Sequence, residues 1–100
     1  MTVALAIDDT VAATPDQVSA DLSGEVVILG MRDGVYYGVE SVGARIWALV
    51  QSPVRVSTIV ETLVAEFDVE PTPCAADVLA FVDSLVAKGL VARVDTEAAA

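Results

Sequence analysis

Glu25-Val26-Val27-Ile28-Leu29-Gly30-Met31, Arg32-Asp33-Gly34 and Val35-Tyr36-Tyr37-Gly38-Val39-Glu40 are the stretch whose reading decides the fold. The first segment is short, apolar and rich in β-branched residues, which predicts a buried strand. Arg32-Asp33-Gly34 supplies turn chemistry, because glycine reaches positive φ without a steric penalty. Val35–Glu40 then returns as a second strand carrying both tyrosines. Upstream, Val18–Leu22 alternates weakly, and Ser23-Gly24 has the composition of a two-residue hairpin turn. The expectation is a three-stranded antiparallel meander.

After Ser41 the signals change to helices. Ser41 is a suitable N-cap for a first helix over Val42–Val50, with Ile46, Leu49 and Val50 inward and Trp47 on the flank. Pro53 ends it, and Arg55 or Ser57 opens the next. Val56, Ile59, Val60, Leu63, Val64 and Phe67 repeat at helical spacing, the clearest periodicity in the chain. Asp68–Pro73 reads as a turn with two prolines, and Cys74–Lys88 as a third helix stopped by Gly89. Leu90–Val94 returns as a short extended segment. Val3–Ile7 is either a further strand or a loose arm. The expected organisation is an arm or extra strand over residues 1–16, one domain over 17–94 and a disordered tail over 95–100.

The third helix carries an apolar face wider than a surface helix needs. Ala75, Val78, Leu79, Phe81, Val82, Leu85 and Val86 span roughly 160° of its wheel. Two readings stand side by side. The helix is deeply packed, or Val78, Phe81 and Leu85 face the core while Leu79, Val82 and Val86 line an open groove, the kind of surface that marks a partner site. The strand Val35–Val39 ends the meander and is therefore an edge, with no charge to block pairing before Glu40. Either the N-terminal arm covers this edge, or a peptide adds a strand there.

Composition removes several functions. The chain holds 15 acidic and 5 basic residues for a formal net charge of -10. That repels a phosphate backbone, and the scattered Arg32, Arg45, Arg55, Lys88 and Arg93 form no basic stripe. There is no histidine, so no serine or cysteine triad of the usual kind and no histidine metal site can form within the chain. The single Cys74, placed near a helix start, has no partner for an internal disulfide and reads as a small packing residue. Tyr36, Tyr37 and Trp47 read as packing aromatics. No apolar run approaches the length of a membrane span, and Asp8-Asp9 follow the N-terminal apolar run with no basic segment before it. The expectation is a soluble cytoplasmic protein with no cofactor, no metal and no catalytic residue.

Val26-Val27-Ile28-Leu29, Gly34-Val35-Tyr36-Tyr37-Gly38-Val39, Val42-Gly43-Ala44-Arg45-Ile46-Trp47-Ala48-Leu49, Asp68-Val69, Asp77-Val78, Phe81-Val82, Leu85 and Gly89-Leu90-Val91 resemble the PqqD family. The resemblance covers about residues 18–94. It is nearest to the stand-alone recognition proteins of lasso-peptide biosynthesis. It implies an α+β, winged helix-turn-helix-like fold, a three-stranded antiparallel sheet followed by three helices. It also implies a RiPP recognition element, which binds the leader segment of a ribosomally made precursor peptide as an added antiparallel strand. In lasso systems such a domain presents the precursor to a separate leader protease and a cyclase and catalyses nothing itself. On this chain the docking strand would be Val35, Tyr36, Tyr37, Gly38 and Val39. The helix wall would be Leu79, Val82, Asp83 and Val86. Val39-Glu40 departs from the Leu-Asn pair frequent in the family, which bears on the leader sequence read.

The alternatives are a leader-recognition subunit of another RiPP pathway, such as a radical-enzyme system, and a winged-helix DNA-binding regulator. The net charge opposes the second. Asp83-Ser84-Leu85 matches the phosphopantetheine triplet of acyl carrier proteins, but Ser84 falls inside a helix near the C-terminus, where that serine does not belong. The uncovered edge also allows a monomer or a weak edge-paired dimer.

Overall fold

The structure, a computed structural model, describes residues 5–94. Two three-stranded antiparallel sheets and three helices share one hydrophobic core. The main sheet is β2 (Gln17–Leu22), β3 (Glu25–Gly30) and β4 (Tyr36–Glu40), in that spatial order. The second sheet sets β1 (Thr10–Ala13) between the two-residue β5 (Val54–Arg55) and β6 (Val91–Val94). The helices are α1 (Val42–Leu49), α2 (Val56–Phe67) and α3 (Pro71–Ala87). The α+β meander followed by three helices is borne out, and the small second sheet adds to it.

The turns fold as their residues dictate. Ser23 and Gly24 both take positive φ, at 56° and 90°, as a type I′ hairpin turn requires, and Leu22 pairs with Glu25 directly across it. Gly34 takes φ 68° and carries the chain from β3 into β4. At the end of α3, Gly89 takes φ 77° and its N–H donates to the Val86 carbonyl. The Leu90 N–H donates to the Leu85 carbonyl, completing a Schellman motif with Leu90 fully buried. This fixes the entry of β6 into the second sheet. The extra N-terminal strand is Thr10–Ala13 rather than Val3–Ile7, and residues 1–4 and 95–100 lie outside the described residues. Val11 alternates inward with no exposed surface, which the weakly patterned N-terminal sequence did not signal.

Two helix starts depart from expectation. Ser41 makes no side-chain cap to α1; it sits at φ 54° and ψ -123°, and its carbonyl accepts from the Arg45 N–H instead. α3 begins at Pro71, so both prolines lie in its first turn rather than in a preceding loop. Proline is tolerated there because the first N–H groups of a helix have no internal acceptor. Cys74 therefore lies one turn inside α3 and is buried. α2 begins at Val56 with the extended Arg55 as its N-cap, one of the two openings expected.

The core gathers Ile28 of the main sheet, Ile46 and Val50 at α1, Ile59 and Leu63 of α2, Val78, Val82 and Leu85 of α3, and Val11 and Val91 of the second sheet. Trp47 is a core residue rather than a flank residue, 3% exposed. Its indole N–H donates to the Ser19 hydroxyl at 3.2 Å, which satisfies the one polar atom such a ring buries. Arg45 and Glu66 meet through two hydrogen bonds, at 2.8 and 2.9 Å, and tie α1 to α2.

Candidate peptide-binding groove

β4 lies at the edge of the main sheet, and among the described residues no strand pairs with its other side. Its register sets Glu25 opposite Glu40 and Leu29 opposite Tyr36, so Gly30 stands opposite Val35. The Gly30 N–H donates to the Val35 carbonyl at 2.9 Å, which makes that a hydrogen-bonded pair. Pair types alternate along an antiparallel ladder. Tyr37 and Val39 therefore spend their backbone groups on β3, while Tyr36, Gly38 and Glu40 direct theirs outward. The side chains alternate in the opposite sense. Tyr37 and Val39 pack against the core, while Tyr36 is 69% exposed. The described part of the N-terminal arm leads into the second sheet, and among the described residues it adds no strand to this edge. Val35 precedes the strand rather than opening it, because it belongs to the turn pinned by Asp33.

Beside the second half of β4 lies a cavity of about 900 Å³. Gly38, Val39 and Glu40 form one wall, and Pro73, Cys74, Asp77, Val78 and Phe81 of α3 form the other. Val42, Gly43 and Ile46 of α1 and Leu63 and Phe67 of α2 make the floor, and Asp68, Val69 and Glu70 close one end. Gly43 keeps the space open. A Cβ at this position would stand 3.3 Å from the Phe81 ring and 3.5 Å from Val39 Cβ. Phe67 and Val69 are each 41% exposed at the mouth.

The α3 wall is not the one expected from the helical wheel. Leu79, Val82, Asp83 and Val86 do not line this cavity. Val82 is fully buried, Leu79 and Val86 pack against the core, and Asp83 is exposed elsewhere on the helix. Phe81 packs against the core as expected, but is only half-buried and also lines the cavity. A wheel orders residues around a helix but does not say which arc meets the sheet. Of the expected strand residues, Gly38 and Val39 line the cavity, whereas Tyr36 and Tyr37 occupy the strand beyond it. The sequence reading missed Gly43, Phe67, Val69 and Asp77. Gly43, a glycine in a helix's first turn directly before an apolar stretch, was the available signal.

The far end of β4 is held differently. The Tyr37 hydroxyl donates to Asp33 Oδ2 at 2.7 Å, and Asp33 Oδ1 accepts from the Val35 N–H at 3.0 Å. The bond from Tyr37, with the Val35 N–H, holds the Asp33 carboxyl below its ordinary range. The same carboxylate pushes the Tyr37 phenol up. Lys88 Nζ stands 5.6 Å from the centre of the Tyr37 ring. Among the described residues no group of acidic residues and cysteine has the arrangement of a metal site.

Residues 25–91 match the family described as coenzyme PQQ synthesis protein D, PqqD. The chain belongs to the PqqD family. The PqqD-like RiPP recognition element expected from the sequence is thereby borne out, and two solved structures share its fold. TbiB1, in complex with the TbiA(beta) leader peptide, is 34% identical, with a TM-score of 0.75 over 80% of this chain and 93% of that one. A lasso peptide synthetase B1, complexed with the leader peptide, is 24% identical, with a TM-score of 0.73 over 82% of this chain and 96% of that one. No match is found among curated proteins. No helix of the described residues is long and apolar enough to cross a membrane. In this chain the groove lies between the edge strand β4 and the start of α3.

Proposed function

We propose that this PqqD-family protein binds the leader segment of a ribosomally made precursor peptide and holds it for the enzymes of lasso-peptide maturation. One observation carries the reading: an unpaired strand edge runs along an apolar groove. The outward N–H and C=O groups of Tyr36, Gly38 and Glu40 offer a ladder to any extended chain, which gives affinity without sequence choice. Side chains of the added strand on the inner face meet the cavity beside Val39, Gly43 and Phe81, which gives choice. The leader-bound states of TbiB1 and of the lasso peptide synthetase B1 support the same reading.

The protein acts in this scheme by holding a substrate. The chemistry belongs to a leader protease and a cyclase that receive the precursor. Tyr36 and Tyr37 serve as strand residues of the docking edge. In this proposal Phe81 and Asp77, which line the cavity, form the α3 wall in place of Leu79, Val82, Asp83 and Val86. Titration of a fluorescent TbiA(beta) leader peptide tests the reading. Saturable binding by the wild type that is lost in Gly38→Pro supports it. Equal binding by the two proteins contradicts docking on β4.

A further inference from the structure

The groove has an electrical direction. Its lining includes Glu40, Asp68, Glu70 and Asp77 and no Lys or Arg. None of these carboxylates forms an ion pair among the described residues. Arg32 pairs with Asp16, Arg45 with Glu66 and Arg93 with Asp9, so three of the chain's few cations are committed elsewhere. The acidic residues gather where β4 ends and α3 begins. Lys88 stands at the opposite end, over Tyr37, three residues before Glu40 in the strand.

Resting on the leader-binding reading above, we infer that this groove selects a leader segment with basic residues on one side of its apolar anchor, the N-terminal side. Carboxylates bordering an apolar, partly dehydrated cleft favour cations and disfavour anions, and like-charge juxtaposition discriminates strongly against a wrong partner. An antiparallel ladder is the slightly more stable pairing. A strand added antiparallel to β4 lays its N-terminal end beside Glu40, Asp68 and Glu70. Its anchor side chain descends between Val39 and Phe81. Its C-terminal end passes Lys88 and the Asp33 carboxylate, which both stand at Tyr37 and offset one another, so a basic residue gains no comparable attraction there. The occupant is thus an extended peptide ordered basic, then apolar.

The test is selection of a displayed library of random 14-residue peptides on the intact protein at low salt. The strongest binder is then synthesised together with an isomer whose basic residues are moved C-terminal to the anchor. Enrichment of Lys and Arg N-terminal to an apolar residue supports the proposal. So does an isomer about fivefold weaker, the factor expected when roughly one exposed ion pair's attraction is lost. That difference should shrink in the variant E70Q/D77N, which leaves Glu40 and Asp68 in place, and vanish in 1 M salt, where charges are screened within about 3 Å. Binders with acidic or neutral flanks, or with basic residues favoured on the C-terminal side, overturn the charge inference and leave leader binding standing. A library that yields no binder competing at β4 overturns both.

Discussion

The main sheet has two free edges, and they are not equivalent. β2 and β4 both lie at the border of the β2-β3-β4 sheet. β2 is exposed along nearly its whole length, with Val18 and Leu22 in the open and Asp21 between them. β4 has α3 opposite and a cavity of about 900 Å³ between. Backbone hydrogen bonds are available at either edge, so ladder formation alone cannot choose where a peptide docks. The cavity and its helix wall, more than the strand itself, set β4 apart from β2, and under the proposed function they make β4 the docking edge.

The comparison breaks most sharply through the backbone. Gly38→Pro removes an outward N–H and puts a ring on the docking edge, and leader affinity should fall about tenfold or more in a fluorescence titration. Asp21→Pro makes the matching change on β2 and should leave affinity unchanged, with some loss of thermal stability. Gly43→Leu comes next. Its side chain would occupy the space between Phe81 and Val39, and affinity should fall several-fold, by about 1 kcal/mol of lost apolar burial in the ligand, with the circular dichroism spectrum retained.

The two faces of α3 sharpen the comparison further. Val82→Ala empties a fully buried site and should cost roughly 2 kcal/mol of stability in urea unfolding. Leader affinity should remain at wild-type level in conditions where the variant is folded. Leu79→Ala and Val86→Ala should likewise leave affinity intact, while Phe81→Ala should weaken it.

The smallest effect is a pH dependence at the Lys88 end of β4. The folded-state pKa of Asp33 is lowered by its bond from Tyr37. Its contribution is therefore present above the ordinary carboxylate value and is lost as pH falls through the lowered one. The Tyr37 phenol is raised, so the same bond contributes below the ordinary phenol value and is lost as pH rises through the raised one. Tyr37→Phe should reduce both slopes in an unfolding series, at the acid end below about pH 4 and at the alkaline end above about pH 10.

The meander was legible because its turns are chemically explicit. Ser23-Gly24, Gly34 and Gly89 each demand positive φ, and strands Glu25–Gly30 and Tyr36–Glu40 follow from the residues between them. The position of β4 at the sheet edge was legible for the same reason. The α3 wall was not. Its apolar arc is wide enough to meet both core and groove, and only the position of β4 and α1 decides which residues do which. That is a long-range fact, set by Gly43 approaching Phe81 across 38 residues of sequence. The second sheet was hidden for a related reason. β1 joins β5 and β6 from distant parts of the chain, and four- and two-residue strands carry too little pattern to announce themselves.

The most direct measurement is amide hydrogen exchange on the intact protein with and without a bound leader peptide. The account predicts that the N–H groups of Tyr36, Gly38 and Glu40 exchange freely alone and become protected together when the peptide is added, while those of Ser19 and Asp21 on β2 do not change. Protection on β2, or saturable binding that leaves Tyr36, Gly38 and Glu40 exchanging as before, would contradict it.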